Sequence, residues 1–174
     1  MKVAIIPGYE TKAPTRGTEK SAGIDVYLPS FNRVFLSSFK ERNNNINFFS
    51  NHITKSSHPN SFFLNPQKKV MIPLGIKVKV PENYALISFN KSGVSWETST
   101  LRMASVIDED FQGEIFATFI NAGKLTIQFQ EGQKLVQLVL IPVFYDVIEV
   151  VPIETLYISS SERGNGALGS TGKF

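Results

Sequence analysis

Cysteine is absent from the 174 residues, which excludes disulfides, thiolate metal ligands and a cysteine nucleophile. The fold must hold by packing or by assembly. Histidine is scarce: neither His52 nor His58 has a carboxylate at a metal-site spacing, so both read as surface residues rather than ligands. Long hydrophobic runs are missing too. The first apolar run stops at Pro7 after Val3 to Ile6, short of the core of a secretory signal, and a cytoplasmic location is expected. The most apolar stretch, Leu135 to Ile153, is interrupted by Gln137, Pro142, Asp146, Glu149 and Pro152, which a lipid-spanning helix tolerates poorly. It reads as buried strands, and no membrane partner is expected. Charge of one sign is also limited: 18 basic against 15 acidic side chains leave +3, too little to suggest a nucleic-acid polymer as partner.

What is present is a series of short β-branched and aromatic runs. KVAII, IDVYL, KVMI, GIKVKV, KLVQLVLI and VIEVV each stop at or just before a proline, and YALISF, EIFATFI and LTIQF lie between them. Strands of that length and spacing predict an all-β sandwich or barrel. IKVKV and LTIQF alternate apolar with polar residues, as strands with one wet face do. A sustained 3.6-residue period is not found, although Lys91 to Leu101 could hold a short helix. The length and the 42% hydrophobic content fit one domain spanning 1–174.

The segment from about 30 to 65 reads as an insertion into that domain. It is crowded with Asn and Ser, and Arg33, Lys40, Arg42 and Lys55 against Glu41 give it the whole chain's net charge. Yet Phe31, Phe35, Phe39, Phe48, Phe49, Phe62 and Phe63 are half of the 14 phenylalanines, an aromatic loading foreign to a disordered linker. It is expected to be partly ordered, packed on its own domain or a neighbour, and it could present a protein-docking surface.

Four places combine glycine with polar groups in ways that strands do not require. In SAGIDVYLP, Ala22 and Gly23 allow close backbone approach, and Asp25 puts a carboxylate inside an apolar strand. In FNKSGVS, the cation Lys91, the hydroxyl of Ser92 and the flexible Gly93 are the residue types that grip phosphate. In SVIDEDFQGEI, an apolar strand ends in Asp108, Glu109 and Asp110; a carboxylate at a strand end is held rigidly enough to activate water. The C-terminal RGNGALGSTGKF carries Arg163, Ser170 and Thr171 among four glycines, a composition common in disordered tails. Its ALGSTGK resembles a P-loop only in part, since Ala167 stands where the first glycine belongs and Phe174 where Ser or Thr must follow Lys173.

In this order, and with EGQKLVQLVL between the last two, the motifs resemble those of the trimeric dUTPase family over residues 1–29 and 66–174. The resemblance implies a distorted jelly-roll β-barrel and a homotrimer with an exchanged C-terminal arm, whose sites draw motifs from more than one subunit. It implies hydrolysis of dUTP to dUMP and pyrophosphate with Mg2+. By the resemblance, Asp108 is the base that activates water against the α-phosphorus, and Phe111 packs on the deoxyribose. Lys91, Ser92, Gly93 and Gln137 bind phosphate oxygens, and Asp25 holds Mg2+ through water. Arg163, Leu168, Gly169, Ser170 and Thr171 close over the substrate as part of a flexible lid at about 160–174. The uracil is read mainly by main chain before and within the third motif, where Arg102, Val106 and Ile107 lie.

Departures from the family pattern cluster at that site. Lys91 stands for the usual arginine and loses its planar fork, Phe111 for tyrosine, and Leu168 for a phenylalanine that covers the base. Arg102 falls where some members have asparagine, and Ser105 where glycine is common. They keep open a dCTP deaminase or a modified-pyrimidine pyrophosphatase on the same fold, and the insertion keeps open a nucleotide-binding regulatory protein. Small size and an insertion suit a viral or phage enzyme working in a host cytoplasm.

Overall fold

Thirteen short strands and two helices carry the residues that the structure, a computed structural model, describes: 1–43, 53–55, 60–103 and 105–167. All pairings are antiparallel. The central sheet runs β10 (Val106–Ile107), β8 (Tyr84–Asn90), β13 (Lys134–Pro142), β3 (Ile24–Tyr27), β2 (Thr15–Arg16). A second sheet runs β6 (Lys69–Pro73), β11 (Phe116–Asn121), β9 (Thr100–Met103), and a third β12 (Ile127–Gln130), β5 (Ser61–Leu64), β4 (Ile53–Lys55). β1 (Lys2–Ile5) pairs with β7 (Ile76–Lys79) alone. The expected all-β class holds, and the predicted runs from KVAII to KLVQLVLI each supply a strand. Alternation is realised as written: Ile76 and Val78 are buried in β7 while Lys77 and Lys79 are exposed, and β12 repeats the pattern with Ile127 and Phe129 inside.

Two findings differ from expectation. The first is α1 (Arg33–Arg42), a ten-residue helix inside the presumed insertion, where no helix was expected. Asn32 caps it by accepting from the Phe35 amide at 3.1 Å. Phe35 and Phe39, four residues apart, are fully buried, so one face is apolar although the stretch is too short to repeat its period. At its far end Asn43 donates to the carbonyls of Phe39 and Met71 at 2.7 and 2.9 Å and accepts from the Met71 amide at 2.9 Å, tying the helix to β6. The second is VIEVV, which forms no strand and whose Val147, Ile148 and Val150 are exposed. A strand needs a partner, and among the described residues none is offered.

The core explains why α1 forms. Phe31, Phe35, Phe39, Phe62, Phe129 and Phe119 make a chain of ring contacts with centroids 5.1 to 6.2 Å apart, running from α1 through β5 and β12 to β11. Each such pair is worth about 0.5–1.5 kcal/mol beyond the area it buries. The insertion expected at about 30–65 therefore supplies part of the core, as its phenylalanines suggested; its His52 and His58 lie outside the described residues. The chain divides into a unit of Met1–Phe144 and a smaller one of Tyr145–Phe174. The smaller unit holds a 3-10 turn at Ile153–Thr155 and a turn in which Gly164 donates to Ser161 O at 3.0 Å. Among the described residues no helix is long and apolar enough to cross a membrane.

Candidate active site

The first polar cluster forms where β8, β13 and β3 lie side by side. Asp25 sits in β3 opposite Gln137 of β13, and its side chain is 6% exposed. A carboxylate so placed needs cations, and it has two: Lys91 Nζ lies 2.5 Å from Oδ1, and Lys134 Nζ 2.7 Å from Oδ2. Burial alone would raise the Asp25 carboxyl. Hydrogen bonds from Lys134 and Lys91 outweigh it and hold the group below the usual carboxylate range. The Lys134 ammonium is raised in turn by Asp25. Gln137 Nε2 donates to Asn90 O at 2.9 Å, and Gly23 is small for a reason: a Cβ there would lie 2.3 Å from Gln137 Oε1. Arg16 fixes the preceding loop by donating to Ser21 O and, at 3.1 Å, to Ala22 O. Lys91 leads into α2 (Ser92–Thr98), the short helix expected there, and nothing lies within 4 Å of where a Cβ would sit on Gly93. Asp25, Lys91, Ser92, Gly93 and Gln137 thus lie in one region of the fold. Lys134 was missed, although it stands in the same EGQKLVQLVL motif as Gln137.

The second cluster surrounds the end of β10. A cleft of about 130 Å³ is lined by Asp108, Phe111, Val106, Ile107, Arg102 and the chain from Glu114 to Phe116. Asp108 is exposed at its edge, and Phe111 N donates to Asp108 O at 3.2 Å, so the turn holds the two residues together. The Phe111 ring lies over Gly113, where a Cβ would approach it to 2.5 Å. The neighbouring acid Glu109 serves the fold, accepting from the Asn83 amide at 2.7 Å. Arg102 is engaged within the chain's own strands. Its guanidinium donates to Ser88 Oγ at 3.1 Å and to the carbonyls of Met103, Thr118 and Phe116 at 2.6, 3.0 and 3.0 Å. Burial lowers it to about 10, so it stays charged at neutral pH and clamps β8, β9 and β11 behind the cleft.

These clusters lie at opposite ends of β8. Asp108 follows the Ile107–Leu86 pair near the start of that strand, and Lys91 follows its last residue. Five residues from Leu86 to Lys91 span roughly 16 Å at about 3.3 Å each. Within one chain the two clusters therefore stand apart. Arg163 belongs to the smaller unit, where its Nε donates to Gly166 O at 3.0 Å, and Leu168, Gly169, Ser170 and Thr171 lie outside the described residues. Among the described residues no three His, Asp or Glu side chains gather as a metal site.

A profile of the family described as dUTPase matches residues 57–172, two thirds of the chain. The chain belongs to the dUTPase family. It is a hydrolase of that family, and curated relatives agree. The deoxyuridine 5'-triphosphate nucleotidohydrolase of Clostridium tetani is 35% identical over 112 residues, covering 63% of this chain and 74% of the relative. That of Bdellovibrio bacteriovorus is 33% identical over 112 residues, covering 63% and 72%. Among solved structures, a Staphylococcus bacteriophage 80alpha dUTPase with dUpNHpp superposes with a TM-score of 0.70 at 20% identity over 98% of this chain and 97% of the other. A dUTPase from phage phi11 of S. aureus, described with a structural Mg(II) ion, gives 0.62 at 22% identity over 86% and 95%. At that identity the likeness establishes the dUTPase fold. It also reaches the strand bearing Asp25, which the profile match does not include.

Proposed function

We propose that this dUTPase hydrolyses dUTP to dUMP and pyrophosphate in sites shared between three copies of the chain. The separation of the two clusters along β8 carries this reading. A base must stand within hydrogen-bond reach of the water it deprotonates, and phosphate ligands must touch oxygens one or two bonds from the attacked phosphorus. Roughly 16 Å within one chain cannot satisfy both conditions. Placing the Asp108 end of one copy against the Lys91 end of another does.

In that assembly Asp108 accepts the proton of the water that attacks the α-phosphorus in line, and pyrophosphate leaves. Phe111 packs on the deoxyribose and leaves no room for a 2′-hydroxyl. Main chain at Val106 and Ile107 reads the uracil, on a hairpin that Arg102 holds from behind. Lys91, Ser92, Gly93 and Gln137 bind phosphate oxygens. Arg163, Leu168, Gly169, Ser170 and Thr171 close over the substrate. Mg2+ arriving with the triphosphate supplies positive charge against its oxygens and needs few protein ligands. Asp25, a lone carboxylate beside the phosphate-binding Lys91, fits the task of holding its waters.

The test is Asp108→Asn, scored for pyrophosphate release from dUTP with ammonia release from dCTP measured alongside. Turnover should fall at least ~100-fold, the usual worth of a general base, while dUpNHpp binding persists. Unchanged turnover, or ammonia as the product, overturns the reading.

A further inference from the structure

We propose that Lys134 is a phosphate-binding cation of this site, stored with Lys91 on Asp25, and that the triphosphate takes both ammonium groups over from the carboxylate. The inference rests on the dUTP reading above.

Its first support is a break in β13. Lys134 and Gln137 are three residues apart, which in a regular strand puts them on opposite faces. Between Lys134 and Val136 the register shifts, so Lys134 pairs with Tyr27, Val136 with Val26 and Gln137 with Asp25. Tyr27 and Asp25 lie two apart on one strand and share a face, and so do the residues opposite them. The irregularity thus turns Lys134 onto the face of Gln137 and Asp25, which is what a bulge does to a side chain.

Its second support is the layering of charge. The carboxylate is 6% exposed, whereas the Lys91 and Lys134 side chains above it are 26% and 45% exposed. One lysine would suffice to neutralise Asp25. The second leaves the cluster with a charge of +1, turned toward solvent beside Gly93, where nothing crowds the approach. Two bare ammonium groups this close would repel each other, and the carboxylate beneath removes that repulsion until a polyanion replaces it. Transfer of the lysines to phosphate oxygens also releases both Asp25 oxygens toward the waters of a metal ion. Lys91 alone, in place of an arginine fork, offers a single point charge; Lys134 restores a second contact from another strand.

The test compares dUMP with the imido analogue dUpNHpp, by titration calorimetry with and without Mg2+, in wild type, Lys134→Met, Lys134→Gln and Lys134→Arg. Either neutral variant should weaken dUpNHpp about tenfold, the low end for a hydrogen bond to a charged group at a half-exposed position. Binding of dUMP should change less than about twofold by the same accounting, and Lys134→Arg should stay near wild type. A purely structural ion pair would weaken both ligands alike or neither, and either result overturns the inference while leaving the dUTP reading standing. Wild type that fails to bind dUpNHpp overturns both.

Discussion

Arg102 concentrates an unusual amount of polar satisfaction in one side chain. Four donor contacts join it to Ser88 on β8, Met103 on β9, and Thr118 and Phe116 on β11, and the guanidinium stands 5.7 Å over the Phe119 ring. Arg102→Leu removes donors from three part-buried acceptors that water cannot fully reach, Ser88 Oγ and the Thr118 and Phe116 carbonyls, at about 1 kcal/mol each or more. A loss of roughly 3 kcal/mol is expected in urea unfolding, and Arg102→Lys, which lacks the planar fork, should recover less than half. If stability is unchanged, the clamp is not what holds the hairpin. The sequence marked Arg102 as a departure at the base-reading hairpin, yet its direction was not legible there. That direction is set by Ser88, Thr118 and Phe116, and only the antiparallel pairing of β9 with β11 brings the last two near it. Asp25 stands out as a carboxylate inside an apolar strand, whereas Gln137 is marked only by the resemblance of its motif. Lys134 was hidden, since strand alternation counts it onto the wrong face unless the bulge is known.

At the scale of elements, the central question is what the segment between β3 and β5 contributes. Read as residues alone it is an insertion, and its Asn-rich stretch at Asn43 to Asn47 supports that view. The helix within it went unread because ten residues hold barely three turns. The cap at Asn32 and the Phe35–Phe39 spacing were the available signals. Phe35, Phe39, Phe62 and Leu64 are each fully buried, so both ends of the segment belong to the core. Phe39→Ala should cost about 3–5 kcal/mol, as large-to-small changes of buried aromatics do, measured by thermal or urea unfolding. Removal of residues 30–64 as a block should leave no cooperative transition at all. A folded, active deletion variant would mean that the phenylalanine chain from α1 to β11 is dispensable. The contact is also close to the chemistry. Ser38 of α1 donates to Glu114 Oε2 at 3.1 Å, Gly75 N donates to Glu114 Oε1 at 3.0 Å, and Glu114 lines the cleft of Asp108.

For the whole molecule, a single chain leaves two things incomplete. The two clusters of the proposed site lie at opposite ends of β8, and Val147, Ile148, Val150 and Ile158 of the smaller unit are each more than 85% exposed. Apolar runs of that length seek a partner, and exchange between identical copies in a closed ring supplies one without leaving an open edge. The same ring would bring the base of one copy to the phosphate ligands of the next, which makes complementation the decisive measurement. Asp108→Asn and Lys91→Met should each be strongly impaired as pure assemblies. Co-expressed with different tags and isolated as mixed assemblies, they should regain activity, because an intact Asp108 from one parent can face an intact Lys91 from the other. In a ring of three that holds both parents, one of the three shared sites pairs an intact Asp108 with an intact Lys91, so about a third of wild-type turnover is expected. If Asp108 and Lys91 instead served one site within one chain, every site would carry a lesion and mixing would restore nothing.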